Sequence, residues 1–299
     1  MQEIATERVS RAKLVPGSRW FILALAMCMA VTALAVDTAL PAFPDIRESL
    51  GLSADAVSVT RLITYYLLGN SLGLLPAGLM AKRFGRKPVI GGGLAPYVAG
   101  ALGTSLAPSL SALCIARFVW GLGSAGPRVA ATAMVRDAYS GEEMAKQMSF
   151  IMAIFSLVPT FAPLLASGIL LVGPWQAVFG FCAAMALLLC FVVTRLPETI
   201  HVEDRRELSG SEIWAGCRAV LTTRGTVGYL LSLTALQAVF ISYLASSEVV
   251  LDQVFGYGDW FPLYFGGLAI VMGLAMFNNG RLVVRVGLDR MLKLVFVAN

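Results

Sequence analysis

The sequence predicts an all-α integral membrane protein, and three observations carry that prediction. Hydrophobic residues make up 58% of the 299 positions against 14% charged, with a mean hydropathy of +0.76, which is too apolar for a water-soluble domain of this size. Apolar runs recur at about 20 residues, the length that crosses a hydrocarbon core of about 30 Å. The connections between the runs also alternate in charge. Lys82 to Lys87, Arg136 to Lys146, Arg195 to Arg224 and Arg281 to Lys293 are rich in cations, whereas 42–56, 105–109, 172–174 and 248–259 contain Arg47 as their single cation. Because Lys and Arg are retained on the cytoplasmic side of short loops, this alternation predicts a multi-pass protein with its amino terminus in the cytoplasm.

Taken in order, residues 1–19 form a polar cytoplasmic segment carrying Arg8, Arg11, Lys13 and Arg19. The first helix is predicted from Trp20 to Leu40. A cleaved signal peptide is the rival reading, since Ala33-Leu34-Ala35 resembles a cleavage site, but the apolar run is longer than the usual signal core. Further spans are predicted at 58–80, 88–107, 109–133, 148–171, 175–194, 226–247 and 260–280. They group into a six-helix bundle over 20–194, a cytoplasmic central linker over 195–225 and a partial second bundle over 226–299. The linker is the longest polar stretch and intersperses Glu198, Glu203, Asp204, Arg205, Arg206, Glu207 and Glu212. The apolar stretch Met291 to Asn299 is about half a crossing, so the chain is expected to stop inside a ninth helix and to lack transport by itself.

Small residues recur every four positions on two helices, as Gly69, Gly73, Ala77 and Ala81 on the second and Gly91, Ala95, Ala99 and Gly103 on the third. Such faces let helix backbones approach closely, and both are predicted to be packing surfaces. The net charge of +5 does not indicate nucleic-acid binding, because the cations cluster in short loops beside apolar runs. The five cysteines show no C-x-x-C spacing, so neither a disulfide framework nor a metal site is expected. His201, the single histidine, sits in a polar loop as a solvated side chain. No phosphate loop, H-E-x-x-H or G-x-S-x-G motif is present, which argues against an enzyme or an ATP-driven pump and predicts no cofactor.

Three ionisable residues lie within or at the margins of apolar runs: Asp37, Arg61 and Arg117. A charge at a helix centre costs about 2.5–3.5 kcal/mol on insertion scales and is usually kept for a pathway or a partner. Two readings of Asp37 stand: a carboxyl group that exchanges protons from a poorly solvated site, or an interfacial residue hydrated from outside or paired with Arg61. Arg117 cannot lose its charge at working pH, so it must find carbonyls, water or a carboxylate inside the bundle. Gly121, Ser124 and Arg128 share its helical face.

Gly78-Leu79-Met80-Ala81-Lys82-Arg83-Phe84-Gly85-Arg86-Lys87-Pro88 places four cations in a turn between two apolar runs. It resembles the G-x-L-a-D-R-x-G-R-K signature of the major facilitator superfamily, with Gly78, Arg83, Gly85, Arg86 and Lys87 matching and Lys82 standing where the family usually has Asp. Asp37 to Pro44 resembles the D-x-x-L-P-A-x-P pattern of the Bcr/CflA (bicyclomycin-resistance) drug-efflux family. Leu113 to Gly123 resembles the superfamily's l-x-x-x-R-x-x-q-G-x-g motif, with Trp120 in place of Gln. Val158-Pro159-Thr160-Phe161-Ala162-Pro163 resembles its antiporter motif; paired prolines remove two backbone donors. Arg136-Asp137 and Leu196-Pro197-Glu198-Thr199 are further family-like marks.

These resemblances imply the major facilitator fold and a proton-coupled multidrug exporter of the inner membrane, associated with antibiotic resistance, monomeric when full length and dependent on an ion gradient. They imply a drug-like small molecule bound near the midplane between two bundles, with Asp37 and Arg117 coupling proton movement. Tyr65, Trp120 and Gln237 are expected at the cavity from their chemistry and depth, Pro159 and Pro163 at a bend or gate. The loop from Gly78 through Lys87 would act as a conformational latch, weakened because Lys82 cannot accept the hydrogen bonds of an Asp. The alternative on the same fold is a transporter of one metabolite, such as a sugar, an amino acid or a siderophore.

Overall fold

In a computed structural model of the protein, the residues described are 15–52, 57–200, 203, 205, 210–257, 260, 263–264, 267–268 and 271. Most of the predicted span 260–280, all of 281–299 and His201 lie outside them. Among the described residues the chain is helical and forms no strand: α1 (Arg19–Asp37), α2 (Phe43–Ser49), α3 (Arg61–Phe84), α4 (Arg86–Ser105), α5 (Leu110–Ala138), α6 (Gly141–Leu170), α7 (Trp175–Thr194), α8 (Gly210–Thr222) and α9 (Arg224–Val249).

Local chemistry sets several ends. Ser18 Oγ accepts from the Phe21 N–H at 3.1 Å at the start of α1, and Ser109 Oγ accepts from the Ala112 N–H at 3.3 Å at the start of α5, each satisfying a donor that a helix leaves free. At the start of α6, Glu142 and Glu143 lie in the first turn, where carboxylates complement the helix dipole. Hydropathy marks only the apolar part of a helix, so α3, α5 and α6 run beyond the predicted spans into water-facing turns. The same limit hid two elements: α2 occupies part of the expected loop 42–56, and α8 makes the expected linker partly helical.

Five segments among the described residues are long and apolar enough to cross a membrane: Arg19–Ser49, Ser58–Phe84, Gly141–Leu170, Trp175–Thr194 and Arg224–Tyr243. The helices α4 and α5 are long enough but less apolar. The bundle is built around α5, which packs on α3 and α4 and touches α1, while α1 also rests on α6 and α7, and α4 on α7. Burial against these neighbours is what lets α5 carry glycines and arginines. Trp175 Nε1 donates to Ser49 Oγ at 3.1 Å, tying α2 to α7. By contrast α9 is exposed along most of its length, with Ile241 and Tyr243 partly packed on the core.

The small-residue reading holds along α3 but on α4 only at Gly103, where an added Cβ would lie 3.3 Å from Ala116 of α5. Gly69, Gly73, Ala77 and Ala81 are buried on α3, and a Cβ added at Gly69 would strike the Phe118 carbonyl of α5. On α4, however, Gly91, Ala95 and Ala99 are exposed. The face of α4 that meets α5 instead carries Gly93, Tyr97 and Gly100, where an added Cβ at Gly100 would strike the Trp120 backbone. Two small-residue faces run along α4, and sequence spacing cannot tell which one a neighbour covers.

Candidate functional site

The bundle encloses Arg117 completely, at 0% exposure. Its Nη1 donates to the Ala35 carbonyl at 2.8 Å and its Nε to the Leu62 carbonyl at 3.4 Å. The guanidinium lies 5.2, 4.9 and 5.7 Å from the ring centroids of Tyr66, Trp120 and Phe179, a cage of three negative ring faces that offsets part of its lost hydration. Its Nη2 has no partner among the described residues, and neither does the Trp120 indole N–H beside it. A charge-bearing donor left open in a dry interior is costly.

Asp37 ends α1 two residues beyond the carbonyl that Arg117 holds. It is 5% exposed, and no hydrogen bond or ion pair joins it to any described residue. The pairing with Arg61 does not form: that side chain is exposed at the start of α3 and makes no ion pair with Asp37. Nor does a salt bridge form with Arg117. What the fold brings together is α1 itself, held at Ala35 by the arginine and carrying the carboxyl group a short step further on.

A polar seam extends from this point. Tyr66 OH donates to the Thr32 carbonyl at 2.8 Å, Tyr97 OH to the Val31 carbonyl at 2.8 Å, and Asn70 Nδ2 to Ser124 Oγ at 2.7 Å. Three side chains from α3, α4 and α5 thus grip the carbonyls of α1 between Val31 and Ala35.

The expected cavity residues fare differently. Tyr65 is 40% exposed, whereas its neighbour Tyr66, at 1%, is the ring that faces Arg117; one residue turns a helix by about 100°, and the Tyr-Tyr pair gave no means of choosing. Trp120 is fully buried and edge-on to Tyr66, Tyr97 and Phe179, so it is part of the packed cage and not a cavity wall. Gln237 is exposed on α9 and hydrogen-bonds no described residue. Pro159 and Pro163 sit inside one uninterrupted helix, α6. They free the carbonyls one turn earlier, and Pro163 with Ala162 and Ala166 is buried.

At the cation-rich end, Gly85 has φ 108°, a conformation that glycine tolerates. The turn it makes brings the Glu198 carboxylate onto the first turn of α4, accepting from the Arg86 N–H at 2.9 Å and the Lys87 N–H at 3.1 Å. Arg86 binds Asp137 through Nε at 2.9 Å and Nη2 at 3.3 Å, and donates through Nη1 to the Ala81 carbonyl at 2.6 Å. Lys87 Nζ reaches the Thr194 carbonyl at 2.8 Å, and Thr199 Oγ1 donates to Asp137 Oδ2 at 2.9 Å. The loop therefore clamps the ends of α3, α5 and α7 together. Lys82 is exposed, and Arg83 stacks over Phe84 at 5.3 Å. Asp137 and Glu198, the partners in this clamp, stood in motifs that the sequence flagged without a role.

Ionisable groups enclosed by membrane-length helices mark ion or substrate pathways, and together with the fold they define the class: a polytopic membrane transporter and not an enzyme. The sequence profile of the Major Facilitator Superfamily matches residues 25–298, and the chain belongs to that family. It is 29% identical over 279 residues to the bicyclomycin resistance protein homolog of Haemophilus influenzae, covering 92% of this chain and 69% of that protein. It is 28% identical over 267 residues to the multidrug resistance protein MdtL of Escherichia coli, covering 87% of this chain and 64% of that protein. The chain thus spans about two thirds of the length of these relatives. Among solved structures, it superposes on a bacterial homolog of the human lysosomal transporter Spinster with a TM-score of 0.71 at 18% identity, covering 89% of this chain and 62% of that one. It superposes on a D-xylose-proton symporter with a TM-score of 0.66 at 15% identity, covering 89% and 69%. At such identities these two likenesses show the fold alone.

Proposed function

We propose that the protein is a proton-coupled exporter of drug-like small molecules in the inner membrane, its amino terminus and cation-rich loops on the cytoplasmic side. The relatives are named for bicyclomycin resistance and multidrug resistance, an outcome that export of the drug would produce. The observation that carries the coupling is the enclosed Asp37, without a partner among the described residues, on the helix whose backbone Arg117 grips at Ala35. An unpaired carboxylate costs far more inside a bundle than a carboxylic acid does, so enclosure of Asp37 and carriage of a proton go together. Ionisation of Asp37 favours the arrangement in which the end of α1 is open to water. Alternating access then follows if substrate binding and the Asp37 proton favour opposite arrangements of two bundles around one midplane cavity.

The test is Asp37→Asn in the full-length protein, assayed for dye or drug efflux in inverted vesicles with an imposed pH gradient. The substitution keeps size and removes the titratable charge. Gradient-driven efflux should drop by at least about tenfold, the effect of losing some 1.4 kcal/mol of coupling, at unchanged abundance in the membrane. Normal gradient-dependent efflux by the Asn variant would refute the role of Asp37.

A further inference from the structure

A cleft of about 390 Å³ opens between α3 and α5 beside the Gly78–Lys87 loop. Lys82, Arg86, Arg128 and Arg136 line it, against a single carboxylate, Asp137. That carboxylate is already engaged, with Arg86 on both oxygens and Thr199 on one. Lys82, Arg128 and Arg136 form no ion pair or hydrogen bond through their side-chain nitrogens with any described residue. Arg128 is backed by the Phe155 ring, 5.8 Å from its guanidinium carbon, which orients the group while its N–H edge meets no partner among the described residues. Arg128, Thr132 and Arg136 follow at four-residue spacing and share one face of α5, opposite Lys82 in the last turn of α3.

Three cations without an ion-pair or hydrogen-bond partner among the described residues, gathered in one cleft, repel one another, and an anion seated among them would relieve that repulsion. Arginine presents a planar fork that matches phosphate oxygens, and lysine adds a mobile point charge. The cleft also has an apolar side, formed by Leu74, Val129 and Ala133, of which Leu74 is exposed. Charge at a helix end beside exposed apolar side chains is the pattern that meets a lipid, headgroup and chain together. We propose that this cleft binds the phosphate of an anionic membrane lipid through Lys82, Arg128 and Arg136. Lys82, at the position where an Asp would have supplied an internal anion, is what converts the cleft into an anion receptor.

The full-length protein in nanodiscs of phosphatidylglycerol, and separately of phosphatidylcholine, is analysed by native mass spectrometry for lipid retained after release. Phosphatidylglycerol should be retained about tenfold more than phosphatidylcholine, and Lys82→Gln combined with Arg136→Gln should remove that preference. Lys82→Arg should keep it. Both substituted residues are exposed, and an unchanged melting temperature in phosphatidylcholine discs verifies that the double variant is folded. Equal retention of the two lipids by the natural sequence would overturn the proposal, as would an undiminished preference in the double variant. In a separate arm, millimolar inorganic phosphate is added to protein in phosphatidylcholine discs. It should not raise the melting temperature; a rise that Lys82→Gln combined with Arg136→Gln abolishes would overturn the assignment to lipid.

Discussion

At Arg117 a permanent positive charge is held in a membrane bundle by carbonyls and ring faces without a carboxylate. A hydrogen bond to a charged donor contributes about 1.5–3 kcal/mol and each buried cation–π contact up to about 2 kcal/mol. These figures are not additive, because desolvation opposes them. Arg117→Ala removes the donor and leaves the Ala35 and Leu62 carbonyls short of a partner, so it should cost about 2–4 kcal/mol. Arg117→Lys should also lose activity, because an ammonium group lacks the flat surface that the three rings stack upon. Thermal unfolding in detergent and vesicle efflux measure the two effects. An Arg117→Lys protein with unchanged melting temperature and transport would show that the cage is incidental. The tyrosine pair teaches the same lesson at this scale: Tyr65 and Tyr66 are chemically identical, and only the angular position on α3 gives one of them to the arginine.

Among the elements, α4 starts without a side chain of its own to cap it, and Glu198 from beyond α7 takes that place. Loss of an N-terminal cap costs about 0.5–2 kcal/mol. Glu198→Ala should therefore speed amide hydrogen exchange in the first turn of α4, near Arg86 to Val89, while Glu198→Gln retains part of the protection. Gly85→Ala should mimic Glu198→Ala, because an added Cβ both strains φ 108° and strikes the Glu198 carboxylate. Exchange in the Glu198→Ala variant equal to that of the natural sequence would dismiss the cap. Helix packing gives a second contrast. Gly121→Ala would drive a methyl into the Tyr66 carbonyl, whereas Gly91→Ala meets nothing within 4 Å. The first should destabilise by about 1–3 kcal/mol as overpacking does, the second by less than about 0.5 kcal/mol. Melting temperatures of the two variants check this, and a sensitive Gly91 would mean that α4 packs through the other face.

For the molecule as a whole, α5 offers a simple test of orientation. Its start at Ser109 and its continuation at Ser140 are both exposed and lie at opposite ends. With the native cysteines replaced, Ser109→Cys should react with an impermeant maleimide added to intact cells, and Ser140→Cys should react only after permeabilisation. The reverse pattern would invert the proposed topology. The same axis separates the two charged sites: the carboxyl group at the end of α1 lies toward the Ser109 end, while the clamp of Arg86, Asp137 and Glu198 closes the other. Substitutions at one site are therefore expected to leave the other's contacts in place, since sites without shared partners behave nearly additively.

The sequence by itself determined the helical membrane class and the order of the long helices, because apolar length and loop charge are local properties that any neighbour leaves unchanged, and its short motifs carried the resemblance to the family. It also singled out Asp37, Arg117 and the Gly78–Lys87 loop, since a charge inside an apolar run or a cation cluster in a turn is conspicuous without coordinates. Only the tertiary structure decided which faces meet. It chose Tyr66 over Tyr65, moved Trp120 from an expected cavity wall into a sealed cage, and turned α4 to pack through Gly93 and Gly100. It also joined Arg86 to Asp137 and Glu198 to the start of α4 across long stretches of chain. These choices depend on the rotation of each helix about its axis and on partners far away in sequence, and neither is encoded in the spacing of a single segment.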